Sequence, residues 1–196
     1  MNNYYLALDV SSTTIGICGF AIKNNKINFK TFFVDYIKPS KAETEIENLH
    51  SLNVQINKFI SDKKLNLKKY DNVYVAIEDF PLHMPMGKST AQTIAKLAVY
   101  NRLSALFLYE RLNIISIFYP VATIRATIKN LAGKKEKIVK EEIPELVCEI
   151  FKDLGSKWEF PYKKTRTGSI AAESYDMADS IAVAITCAYK NGDIKL

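Results

Sequence analysis

Apolar positions recur along this chain with two periods, and the switches between them mark its elements. "YLALDV" (residues 5–10) is a short, nearly continuous apolar run, as for a strand covered on both faces. "TIGICGFAIK" and "KINFKTFFVDYI" are β-rich and joined by Asn24-Asn25, which predicts a hairpin. Residues 41–63 carry apolar positions at helical spacing, and "NVYVAIEDF" (72–80) is again a strand. The loop "PLHMPMGK" precedes a long helix from Ser89 to Arg111 with a Ser or Thr cap. "NIISIFY" is a strand closed by Pro120. Helical patterns then cover 121–131 and 135–154, the second to be kinked or split by Pro144. A polar loop (155–169) leads to a last helix, 172–190. Three antiparallel strands followed by alternating helices and strands predict an α/β fold with a mixed five-stranded sheet flanked by helices. No repeat, linker or low-complexity tract divides residues 1–196, so one domain is expected.

Composition changes this picture little. A hydrophobic content of 48% and a charged content of 24% suit a globular protein. No apolar run reaches membrane-spanning length and no secretory leader is evident, so a cytoplasmic protein without membrane attachment is expected. Cys18, Cys148 and Cys187 are odd in number, widely spaced and set in apolar surroundings. They read as reduced core thiols, which argues against structural zinc and cysteine catalysis. The net charge of +6 is concentrated in two stretches. "TIRATIKNLAGKKEK" holds Arg125, Lys129, Lys134, Lys135 and Lys137 against one acid; "PYKKTRTG" holds Lys163, Lys164 and Arg166 against none. Either stretch suits a polyanion or is simply a solvated face.

The acids carry more chemistry. In "ESYDMADSIAVAIT" Glu173, Asp176 and Asp179 stand at i, i+3 and i+6, where like charges share a helix face and repel. Helix capping and dipole compensation are the plain explanation. Asp9 and Glu78, however, each close an apolar strand that reads as central, which is a costly place for charge. Carboxylates converging from two strand ends and one helix need a cation among them. Oxygen donors without His or Cys favour Mg²⁺ or Mn²⁺. Two such ions about 4 Å apart are the apparatus of in-line phosphodiester cleavage.

"LALDVSSTTIG", "VAIEDF" and "YDMADSIAVAIT" resemble, in order and spacing, the three motifs of the RuvC family of Holliday-junction resolvases, members of the RNase H-like superfamily. "YPVATIRATIKNLAGKKEKIVKEEI" is similar to the family's segment between the second and third, so the resemblance runs from about Tyr4 to Tyr189. It implies an RNase H-like fold and a metal-dependent endonuclease that nicks four-way or other branched DNA in pairs, as a homodimer. Asp9, Glu78, Asp176 and Asp179 would be catalytic metal ligands for Mg²⁺, with Mn²⁺ able to substitute. Lys137 would be the functional lysine, with Lys135 as competitor, and Arg125 a DNA contact. Lys129, Lys134, Lys163, Lys164 and Arg166 are further candidate DNA contacts. Phe80 lies near the position of the family's aromatic that probes the junction centre, followed by Leu82, His83 and Met84.

The sequence departs from the pattern where the family reads Asp-Pro-Gly and this chain has Asp9-Val10-Ser11, and in the longer, more basic 155–169 loop. Glu173 has no counterpart and reads as a cap or outer group. "MGKST" is no phosphate loop, because Leu82 stands where the first glycine is needed. His50 and His83 are isolated, so no histidine triad is supported. Rival readings are another RNase H-like nuclease (RNase H or transposase-like), a catalytically silent nucleic-acid-binding module, and a fragment of an actin-like ATPase or kinase.

Overall fold

The computed structural model describes residues 1–39, 43–80 and 91–195. Strands β1 (Asn2–Val10), β2 (Ile15–Lys23) and β3 (Lys26–Ile37) come first, followed by helix α1 (Glu45–Asp62), β4 (Asn72–Asp79), helix α2 (Ala91–Leu112) and β5 (Ser116–Pro120). Helices α3 (Val121–Leu131), α4 (Ile143–Asp153) and α5 (Ala172–Lys190) complete the chain. The five strands form one mixed sheet in the order β3-β2-β1-β4-β5. β1 pairs antiparallel with β2 and parallel with β4, which pairs parallel with β5. The β2–β3 hairpin turns at Asn24 and Asn25, both left-handed (φ 53° and 59°), a conformation that asparagine tolerates and a tight hairpin requires.

Strand alternation sorts the core into two layers. Tyr4, Leu6 and Leu8 of β1 pack with Leu52 and Ile56 of α1 and Tyr100 and Leu108 of α2. Tyr5 and Ala7 face the other way, onto α3, α4 and α5. Helix α5 is buried almost all round because it lies between the sheet and the outer helices. Ile181, Val183 and Ile185 are each fully buried, worth about 1.5–3 kcal/mol apiece.

The sequence pattern and the structure differ in two places. Residues 135–139 are not helical; a 3-10 turn at Lys140–Glu142 leads into α4, and Pro144 sits in that helix's first turn. Proline lacks only an N–H that a first turn leaves unbonded anyway, so it opens the helix rather than kinking it. The 155–169 loop is also less polar than its composition. Trp158 packs edge-on against Phe32, Phe151 and Phe160, tying the loop to the core. Among the described residues no helix is long and apolar enough to cross a membrane.

Candidate active site

Four acids meet at one end of the sheet because of parity and register. Asp9 shares the face of Tyr5 and Ala7, and Glu78 that of Tyr74 and Ala76, so both point toward α5. Leu8 pairs with Ile77, placing the next residues, Asp9 and Glu78, side by side at the carboxyl ends of adjacent parallel strands. Asp9 also pairs with Gly16 of β2. Gly16 is where α5 touches the sheet: a Cβ there would lie 1.9 Å from the Asp176 carbonyl oxygen. The missing side chain lets the turn carrying Asp176 and Asp179 settle beside Asp9. After Asp9 the chain turns through Ser11, whose Oγ accepts the Thr14 N–H (2.9 Å) and donates to the Thr14 carbonyl (2.7 Å). A hydroxyl thus closes the turn in place of a Pro-Gly pair.

Burial holds Asp9, Glu78 and Asp179 away from easy ionisation. Burial, then the charges of Glu78 and Asp179, push the Asp9 carboxyl well above the usual range. Burial and Asp179 push Glu78 up to about 7. Asp179, only 4% exposed, is also raised by burial, against the pull of Lys140 and Arg125. Two cations answer the cluster. Arg125 donates to Asp179 (3.1 Å). Lys140 donates to Asp176 (3.1 Å) and lies 3.2 Å from Asp179. Burial lowers the Lys140 ammonium, but Asp179, Asp9 and Asp176 outweigh it and keep the lysine charged.

Four carboxyl groups face one lysine and one arginine, and every donor they offer is an oxygen. That set suits a hard divalent cation. As the side chains stand, no three acidic, thiol or imidazole groups among the described residues are arranged to enclose an ion. The Lys140 ammonium lies instead between the two helix acids.

The other candidates fall into separate places. The lysine that reaches the acids is Lys140, not Lys137 or Lys135. Lys137 lines a groove of about 520 Å³ with Arg125 and Lys129 over an apolar floor of Val121, Ala122 and Ile138. Lys134 pairs with Glu149 (3.7 Å), and Lys135 is exposed. Lys163, Lys164 and Arg166 are exposed on a small turn pinned by Ser174, whose Oγ accepts the Lys163 N–H (2.8 Å). Glu173 pairs with Lys38, beyond the end of β3, rather than with the other acids. Leu82, His83, Met84 and the Ser89 or Thr90 cap lie outside the described residues.

Lys140 and Gly16 are functional candidates that reading the sequence missed. Pro144 was the available signal: a proline that opens a helix makes the preceding residues a loop, free to reach sideways. Asn101 is a third. This buried residue donates to the Glu78 carbonyl (2.7 Å) and accepts from Arg102 (3.0 Å). Arg102 pairs with Asp79 (2.8 Å), and its guanidinium lies over the rings of Phe118 (3.9 Å) and Phe80 (5.0 Å). Phe80 is therefore engaged at the end of β4. Asn101→Ala is expected to cost about 1–3 kcal/mol, since the Glu78 carbonyl loses its side-chain donor; thermal melting measures it.

Solved structures share this architecture along the whole chain. RuvC from Thermus thermophilus in complex with a Holliday junction substrate matches with a TM-score of 0.63 at 15% identity, over 98% of this chain and 98% of its own. This chain has the RuvC fold. A second Thermus thermophilus RuvC structure matches with a TM-score of 0.58 at 15% identity, over 98% of both chains. The yeast mitochondrial Holliday junction resolvase gives 0.58 at 15% identity, over 96% of this chain and 79% of its own. No family model and no curated protein sequence matches this chain. The RuvC fold is the RNase H-like architecture expected from the motifs, and Asp9 and Glu78 stand at the carboxyl ends of its central strands.

Proposed function

We propose that this chain is a metal-dependent, structure-selective endodeoxyribonuclease that resolves Holliday junctions or other branched DNA by paired nicking. One observation carries the reading: Asp9, Glu78, Asp176 and Asp179, from three separate elements, gather at one end of the sheet in a chain with the RuvC fold. These four would hold Mg²⁺, or Mn²⁺ in its place. Such ions, when bound, activate a water and steady the leaving oxygen in phosphodiester hydrolysis. Lys140 and Arg125 hold the acids in place and present positive charge to the phosphate, in the manner of pre-aimed cations. The groove of Arg125, Lys129 and Lys137 continues that charge along α3 and suits the backbone beside the cut. A twofold enzyme matches a twofold substrate. Helix α2 exposes Val99, Leu106 and Tyr109 (41–45%), which supports a homodimer through that helix.

The test is cleavage of a synthetic four-way junction, a linear duplex and an RNA–DNA hybrid, each with Mg²⁺, with Ca²⁺ and with EDTA. Symmetric nicks in the junction with Mg²⁺ alone are expected; cutting of the hybrid instead, or of nothing, overturns the reading. In the same assay Lys140→Ala should lower the rate by about 10²-fold or more. Lys137→Ala should cost only a few-fold, through weaker binding.

A further inference from the structure

The opposite end of the sheet carries a second concentration of charge that the site above does not use. A cavity of about 290 Å³ is lined by β3 and by the segment from Lys63 to Tyr70, with Tyr4 in its wall. A groove of about 490 Å³ adjoins it, sharing residues 64–67 and reaching the end of α2. Six cations line the pair: Lys30, Lys63, Lys64, Lys68, Lys69 and Arg111. Among the described residues no carboxylate lines either one. Asp35 holds Lys63 (3.4 Å) and Asp71 accepts the Asn2 N–H (2.8 Å), while Asp62 and Glu110 adjoin Lys63 and Arg111 in sequence. Lys30, Lys64 and Lys68 are exposed and pair with no carboxylate among the described residues.

Compensation of the α1 dipole accounts for Lys63 and Lys64 at its carboxyl end, but not for the rest. Lys30 comes from β3, Lys68 and Lys69 from a 3-10 turn, and Arg111 from α2. Lys64 itself stands in the left-handed region (φ 47°), where glycine is the usual and cheaper choice. Aromatic rings back the charges: Lys69 lies 5.1 Å from the Tyr70 ring and Lys63 5.1 Å from that of Phe33. Cations converging over aromatic walls are the surface a nucleic-acid backbone fits. Asp9 lies five steps along β1 from Tyr4, a distance of about 17 Å at strand rise.

We propose that this basic groove, at the far end of the sheet from the acids, is a second DNA contact that holds the phosphate backbone of an arm leading away from the cut. It rests on the nuclease reading and extends the bound surface beyond the catalytic end. Lys30, Lys64 and Lys68 supply the free charge; the rings limit how the chain can lie.

The experiment measures junction affinity of the full chain by fluorescence anisotropy in Ca²⁺ across a salt series, for wild type, K30Q/K64Q/K68Q and K30R/K64R/K68R. Each phosphate contact contributes about 0.9 to the log–log salt slope. The Gln variant should therefore lose about 2–3 from the slope for each protomer that engages an arm, while melting like wild type, and the Arg variant should keep it. An unchanged slope in the Gln variant overturns the proposal. So does loss of tripolyphosphate binding alone with DNA binding intact, which would make the groove a site for small polyphosphates. Wild type that binds no branched DNA at any salt overturns the nuclease reading itself, a result distinguishable from failure of the groove.

Discussion

Asp9→Asn is expected to lower cleavage by about 10³-fold or more while leaving junction binding within a few-fold of wild type. The amide keeps the shape of the carboxyl and removes its charge. It leaves untouched the cations at Arg125 and Lys140 and the groove that meets the backbone. The effect on stability should run the other way. Burial and the charges of Glu78, Asp179 and Asp176 raise the Asp9 carboxyl against the pull of Lys140, so its ionised form is disfavoured by the fold. Replacing it with a neutral group relieves that repulsion, and the metal-free variant should melt at or above the wild-type temperature, as when a strained functional group is removed. Cleavage, binding and melting measured on one preparation decide the matter. A fall in both melting temperature and binding would make Asp9 a structural residue and remove the proposed mechanism.

Gly16→Ala should have the largest effect on the fold. The added Cβ would meet the Asp176 carbonyl oxygen at 1.9 Å, its carbon at 2.4 Å and the Met177 nitrogen at 2.9 Å. All three are backbone atoms of a buried helix, which cannot swing aside as a flexible side chain does. Overpacking of this kind costs about 3 kcal/mol, at the upper end of the usual range. In a chain of this size that corresponds to a melting temperature lower by about 6–12 °C. Whatever folds should cleave poorly, because the displaced turn carries both Asp176 and Asp179. Gly133→Ala is the control. Its φ is +63° and an added Cβ meets nothing within 4 Å, so only the backbone preference is lost, about 1 kcal/mol. Melting curves of the two variants separate a steric contact from a conformational cost. Equal losses would show that α5 does not depend on the bare Gly16 backbone.

Glu78 is fixed through its backbone, by Asn101 and the Arg102 network, whereas Asp176 and Asp179 are fixed through their side chains, by Lys140 and Arg125. The strand acids are therefore set by the sheet, and the helix acids by cations that a bound metal would have to displace or share.

Much of this was legible in the chain itself. The five strands, the Asn24-Asn25 hairpin and the mixed sheet follow from apolar periodicity, which depends only on neighbours a few residues apart. The placing of Asp9 and Glu78 at strand ends follows too, because a charge that closes a buried strand must emerge where the strand does. What only the tertiary structure decided is which distant groups touch. Lys140 and Asp176 are 36 residues apart and Arg125 and Asp179 are 54 apart, joined by loops whose path no local pattern specifies. Lys137 and Lys140 look alike in sequence, and the turn before α4 alone selects the one that meets the acids. Gly16 likewise reads as an ordinary strand glycine until a helix from the far end of the chain is laid across it. Local chemistry determined the parts and their polarity; close packing, which admits one arrangement of helix on sheet, determined the contacts.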